Sequence, residues 1–233
     1  MYSNKENVNI LTTLLVKEGI KKAVVCPGSR NSPIVHNLCT CPDIECYPIT
    51  DERSAGFVAL GMTLADNEPV AVCVTSGSAL LNLAPAAAEA YYQNRPLIII
   101  SADRPAQWIE QQDGQTIQQH RVLEPNVRKS VTLPEPHNEE ERWYCNRLVN
   151  EALHATRLNG GGPVHINVPI SEPLFEYNVP QLPDERLVSL HPASTEDTYV
   201  YEMATNFFSG TKPMIVLGQL IPEVVGNLIE AIE

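Results

Sequence analysis

Apolar runs of strand length recur along the first 170 residues, at Ala23-Val24-Val25, Val70 to Val74, Leu97 to Ile100 and Val164 to Val168. Between them the apolar positions change period. Phe57, Leu60, Gly61 and Leu64 follow helical spacing, and Trp143, Leu148, Ala152 and Ala155 do so more loosely. Strand-like runs alternating with helix-like segments predict a doubly wound α/β domain, a parallel sheet with helices on both faces. Two helix starts are marked. Ser32-Pro33 offers a capping serine and a first-turn proline, and Thr50-Asp51-Glu52 offers a cap followed by an acidic first turn.

After Pro169 the texture shifts. Pro173, Pro180, Pro183 and Pro192 punctuate a polar stretch. A helical segment from about Tyr199 to Phe208 follows, then the apolar run Pro213 to Gly218 and a second helical pattern from Val224 to Ile232. One strand and two helices cannot bury a core of their own. The expected organisation is a domain over residues 1–179, a linker over 180–195, and the truncated start of a second α/β domain over 196–233.

Composition narrows the function. The 233 residues carry a net charge of -12, which argues against sequence-independent nucleic-acid binding and requires any anionic ligand to find a local basic site. Neither a long apolar run nor an apolar N-terminal signal core is present, so the reading is a cytoplasmic protein without stable membrane insertion. The six cysteines then read as reduced thiols. Cys39, Cys41 and Cys46 lack the paired spacing of a zinc site, and no metal-ligating residue is assigned.

Four short stretches fall where strands should end: Cys26-Pro-Gly-Ser-Arg30, Thr50-Asp-Glu-Arg53, Thr75-Ser-Gly-Ser-Ala79, and Ser101-Ala-Asp-Arg-Pro105 with Gly114-Gln-Thr-Ile117 after it. In an open parallel sheet these turns line the carboxyl edge, where ligands bind. Each has a plain structural reading. Glu52 favours a helix N-terminus by opposing its dipole. Arg30 can pair with a surface carboxylate and Arg104 with Asp103, while Thr75 to Ser78 can be a simple strand-to-helix cap.

Taken together, C-P-G-S-R-N-S-P, T-D-E-R-S-A-G-F-V-A-L-G, T-S-G-S-A-L-L-N-L-A-P-A-A-A-E-A and I-S-A-D-R-P, in that order, resemble the pyrimidine-binding domain of thiamine-diphosphate-dependent enzymes. The branch that fits best is the carboligase of menaquinone biosynthesis, and Gly162 to Pro169 resembles the closing strand of the same domain. The resemblance covers roughly residues 8–175.

This resemblance implies a transferase that decarboxylates 2-oxoglutarate and joins the four-carbon product to isochorismate, as a homodimer or homotetramer. Glu52 is the implied catalytic carboxyl group, exchanging a proton with the cofactor's aminopyrimidine ring. Pro27, Ser76 and Gly77 are implied to lie against the same ring. Ser29, Arg30, Arg104 and Gln115 are implied to hold substrate, the arginine forks suiting two dianionic acids. The branch commonly carries asparagine before that glutamine, where this chain has Gly114. Family members bind the diphosphate and Mg²⁺ through a G-D-G segment followed by an asparagine, and no G-D-G occurs in this sequence. The chain is therefore expected to be an N-terminal part, inactive alone and unable to bind the cofactor tightly. Two rivals remain: another decarboxylating synthase such as acetolactate synthase, and a non-catalytic dimerising module.

Overall fold

The computed structural model describes residues 1–189 and 198–214. The chain divides into two compact units, Met1–Val188 and Ser189–Glu233. In the second, one helix, Thr198–Phe208, is described. All but the first two residues of the strand expected from Pro213, the helix expected from Val224, and most of the end of the expected linker lie outside the described residues.

The first unit holds six parallel strands, β1 (Lys22–Val25), β2 (Glu45–Pro48), β3 (Val70–Val74), β4 (Leu97–Asp103), β5 (Lys129–Thr132) and β6 (Val164–Pro169). They lie in the order β2-β1-β3-β4-β6-β5. From β1 the chain moves outward to β2 and then returns across the sheet to β3. The direction of winding therefore reverses between β1 and β3, and a crevice opens there at the carboxyl ends of the strands.

Side-chain alternation sorts the core onto two faces. Ala23, Val25, Ala71, Cys73, Ile98, Ile100, Val164 and Ile166 pack on one side with helices α1 (Glu6–Lys17), α2 (Ser32–Thr40) and α6 (Glu139–Ala155). Val24, Val70, Val72, Val74, Leu97 and Ile99 pack on the other with α3 (Glu52–Asp66), α4 (Ser78–Leu81) and α5 (Ala84–Tyr92). Because both faces are covered, β3 and β4 are buried throughout, and β3 and the Leu97 to Ile100 part of β4 read as continuous apolar runs. This is the doubly wound architecture expected.

Several local expectations change. Asp51 caps α3 by accepting from the Ser54 amide at 2.8 Å. Ser32, however, is not a cap: it is the first residue of α2, and its hydroxyl meets Tyr177 Oη at 2.7 Å. On α3 only Leu60 of the helically spaced set is buried, while Phe57 and Leu64 face outward. Trp143 is likewise exposed on α6. The short strands β2 and β5 carried no continuous apolar signal because each lies at a sheet edge. The segment from Pro180 to Val188, expected as linker, is tied to the first unit: Glu185 is buried and pairs with Arg142, which also holds Glu6 of α1.

On the α3 face, β4 and β6 carry polar residues at alternating positions: Ser101 and Asp103 on β4, His165 and Asn167 on β6, with Ser101 directly opposite Asn167 and His165 opposite Ile99. His165 is fully buried. Its Nε2 meets Ser101 Oγ at 2.8 Å and its Nδ1 meets Ser130 Oγ at 3.2 Å. Burial, reinforced by His120, depresses its pKa from 6.5 to about 3. The folded state thus holds this ring neutral. Its stabilising contribution is complete above pH 6.5 and is lost as pH falls toward 3, at about 1.4 kcal/mol per pH unit. Urea midpoints at pH 7 and pH 5 are expected to show a drop of about 2 kcal/mol that His165→Gln largely removes; an equal drop in both proteins would exclude His165 as the cause.

Candidate functional site

At the carboxyl edge the turns after β1 and β3 pack directly against each other. A Cβ placed on Gly28 would lie 2.5 Å from Thr75 Cβ and 2.7 Å from Asn31 Oδ1, so only glycine lets these two turns meet. Asn31 secures the first turn by donating to the Cys26 carbonyl at 2.8 Å. Gly77 ends the β3 turn with φ of +82°, and a Cβ there would meet the Gln115 carbonyl oxygen at 2.8 Å. Gly77 is therefore the seat on which the loop after β4 rests.

Glu52 opens α3 at the same edge, partly exposed. Its Oε2 accepts from Asn82 Nδ2 at 3.1 Å, and no other hydrogen bond to this carboxylate forms among the described residues. One oxygen is thus held while the other is open to a ligand N–H. Nearby Cys26 is buried, and desolvation first, then Glu52 and Asp51, push its thiol up to about 12. It stays protonated and is no nucleophile.

Arg30 and Arg104 come together in one cleft of about 630 Å³ whose walls include Trp108, Asp113, Ser171 and Glu172. Arg30 is 6% exposed. Its Nη1 donates to the Ile170 carbonyl and its Nη2 to Glu172 Oε1, both at 2.9 Å. Arg104 Nη2 donates to the Gly114 carbonyl at 3.2 Å. Its Nε stands 3.0 Å from Asp113 Oδ2, close enough for an ion pair but without the alignment of a hydrogen bond. The Asp103 pairing weighed for Arg104 is only a main-chain one: Asp103 Oδ1 accepts from the Arg104 amide at 2.8 Å. Burial raises the Asp103 pKa, against the hydrogen bonds from Asn167 and that amide.

Each guanidinium therefore faces a carboxylate in an open cleft, the arrangement a dicarboxylate ligand could enter by exchange. The other expected site residues lie apart from this cleft. Ser29 and Pro27 are exposed on the turn after β1, Ser76 is buried under the β3 turn, and Gln115 is exposed with its main chain over Gly77. Sequence reasoning missed Trp108, an exposed indole on a short turn, which lines the cleft with apolar surface. It also missed Gln119, which is buried beneath the loop.

The residues present fit the aminopyrimidine end of thiamine diphosphate, on the evidence of the open Glu52 oxygen at the carboxyl edge. For a diphosphate-bound metal ion they offer no equivalent: no cluster of three or more His, Cys, Asp or Glu suited to a metal occurs among the described residues. No helix among those residues is long and apolar enough to cross a membrane.

Comparison with known proteins bears on the same region. The family model for the thiamine pyrophosphate enzyme, N-terminal TPP binding domain, matches residues 6–122, thiamine pyrophosphate being another name for the diphosphate. The 2-succinyl-5-enolpyruvyl-6-hydroxy-3-cyclohexene-1-carboxylate synthase of Bacteroides thetaiotaomicron is 54% identical over 221 residues, covering 94% of this chain and 40% of that protein. The synthase of the same name from Phocaeicola vulgatus is 52% identical over 221 residues, again 94% of this chain and 40% of the relative. That from Bacteroides fragilis is 58% identical over 189 residues, covering 81% and 34%. The chain thus spans about 40% of the length of the first two relatives. With its carboxyl-edge glycines, its helix-opening glutamate and a family match over half its residues, the chain belongs to the thiamine pyrophosphate enzymes and carries their N-terminal TPP-binding domain.

Proposed function

We propose that the complete protein is a 2-succinyl-5-enolpyruvyl-6-hydroxy-3-cyclohexene-1-carboxylate synthase, using 2-oxoglutarate and isochorismate. The observation that carries this reading is the cleft shared by Arg30 and Arg104. Two cationic forks in one opening match substrates with two carboxylates each, and a site for pyruvate alone has less use for them. The named relatives support the same choice.

When bound, thiamine diphosphate supplies the electron sink for loss of CO₂ from the 2-oxoacid. Glu52 would hold and return a proton for the cofactor's aminopyrimidine ring at its open carboxyl oxygen, while Asn82 fixes the other oxygen. Gly28 and Gly77 let the turns after β1 and β3 and the loop after β4 pack together at this edge, where Pro27, Ser76 and Gly77 would belong to the turns that hold the ring. Arg30 and Arg104 bind substrate carboxylates in place of Glu172 and Asp113. Ser29 and Gln115, exposed on the adjoining turns outside this cleft, would be available to substrate oxygens. Mg²⁺ and the diphosphate would be held by a part of the protein outside the first unit.

Residues 1–179 are read as the pyrimidine-binding domain, 180–195 as a linker whose first part is strapped to α1 and α6, and 196–233 as the start of a middle domain. The outward-facing Phe57, Val58 and Leu64 on α3 support a homodimer, since this apolar strip gains from burial by a second subunit. A cytoplasmic location accords with six free thiols.

The test is turnover by the complete protein with cofactor and Mg²⁺. CO₂ release from 2-oxoglutarate coupled to consumption of isochorismate is the expected result. Release of CO₂ from pyruvate, with 2-oxoglutarate left untouched, would replace this reading with that of an acetolactate-type synthase.

A further inference from the structure

A buried line of hydrogen bonds joins the Gly77 turn to Arg104, although the two belong to different strand ends. The Gly77 amide donates to Gln119 Oε1 at 2.6 Å. Gln119 Nε2 donates to Asn167 Oδ1 at 2.8 Å and to the Ala102 carbonyl at 3.0 Å. Asn167 Nδ2 donates to Asp103 Oδ2 at 2.7 Å, and Asp103 Oδ1 accepts from the Arg104 amide. Gln119, Asn167 and Asp103 are all at most 5% exposed. Every link is therefore shielded from water, and a broken one leaves a buried polar group without a partner.

Gln119 is the member that belongs to the body of the loop after β4, 15 positions beyond Arg104 at its start. In that loop Glu110, Gln112, Gln115 and Arg121 all hold positive φ, a conformation that side-chain-bearing residues adopt at a cost. Such a backbone persists where the surroundings over-determine it, and Gln119 is the buried anchor that does so. Its neighbour Gln115 rests on Gly77, and Asp113 and Gly114 touch Arg104.

We propose that Gln119 is a positioning residue that locks the Gly77 turn, the loop and the Arg104 strand end into one rigid unit, so that the cofactor-facing turn and the two-arginine cleft are ordered together. The assignment of cofactor and substrate to those two sides rests on the function proposed above. Through this line, loosening Gln119 disturbs both ligands at once, although it touches neither.

Two measurements test this. In the 233-residue chain, Gln119→Met keeps the length of the side chain and removes its hydrogen bonds; amide exchange at Gly77 is expected to quicken by about tenfold or more. In the complete enzyme, the same variant is expected to raise both the KM for 2-oxoglutarate and the cofactor concentration needed for half activation by about tenfold. Leu123→Ala, which removes a buried apolar side chain near the same loop without touching the hydrogen bonds, is expected to lower the melting temperature while leaving both constants near wild type. Unchanged Gly77 exchange in Gln119→Met, or equal kinetic damage in Leu123→Ala, overturns the proposal. If Gln119→Met does not fold, Gln119→Asn, too short to span both partners, takes its place under the same criteria. Absence of any turnover of 2-oxoglutarate by the wild-type enzyme would reject the proposed function, while Gly77 exchange still decides the role of Gln119.

Discussion

Glu52→Gln in the complete enzyme is expected to lower kcat by about 10²- to 10⁴-fold, the range for loss of a positioned proton-transfer group, with little change in KM for 2-oxoglutarate. The amide oxygen of glutamine can still accept from Asn82 Nδ2, so the start of α3 keeps its geometry. What is lost is a group able to give up and take back a proton at the open position. A melting temperature close to wild type would show that the loss is chemical. Steady-state kinetics at saturating cofactor decide the matter, and an unchanged kcat would remove Glu52 from the mechanism and with it the assignment of the α3 start to the pyrimidine ring.

The second large effect is expected at Arg30. Arg30→Ala should raise the KM for a dicarboxylate by about 10- to 100-fold, as a charge-assisted hydrogen-bonding pair contributes about 1.5–3 kcal/mol. It also strands the Ile170 carbonyl, so some loss of stability accompanies it. Glu172→Gln separates the two effects. Glu172 is Arg30's own counter-ion, its side chain 66% exposed, and its removal leaves the guanidinium to be claimed by substrate. This variant is expected to lower KM while Arg30→Ala raises it. Lysine at position 30 should recover only part of the affinity, because one ammonium cannot serve Ile170 and a carboxylate in the planar geometry of the fork. Substrate-saturation curves for the three variants are the measurement. A KM that rises in Glu172→Gln as much as in Arg30→Ala would mean that the pair is a structural strut and not a substrate contact.

The parts of the site that could be read early share a physical feature: their role is set by local chain geometry. Gly28 and Gly77 stand in turns that tolerate no side chain, and Asp51-Glu52 announces a helix start, so short stretches sufficed to mark them. The two arginines were visible as positive charge in glycine-rich turns of an acidic chain. Their counter-ions were not, since Glu172 lies 142 positions from Arg30 and is brought to it only by the insertion of β6 between β4 and β5. The Ser32 cap failed for a similar reason: Tyr177, far along the chain, supplies its hydroxyl with a partner.

Periodicity misled where burial comes from outside the helix. Phe57 and Leu64 have helical spacing with Leu60, yet only Leu60 faces the sheet, because α3 packs through its small residues Ala55, Gly56 and Ala59. Conversely, Ser101, Asp103, His165 and Asn167 alternate along two apolar strands, a pattern that signals one shared polar face. Nothing in the chain order tells that Gln119 covers that face.

The sequence by itself determined the α/β class, the carboxyl-edge turns and their glycines, and the chemical types at the site, since strand and helix periods and turn chemistry act over a few residues. The tertiary structure alone decided which charges meet in the cleft, which apolar strip stays outward, and how Gln119 ties Gly77 to Arg104. Those depend on strand order and register, which bring residues far apart in the chain within hydrogen-bonding distance, and no local preference encodes that proximity.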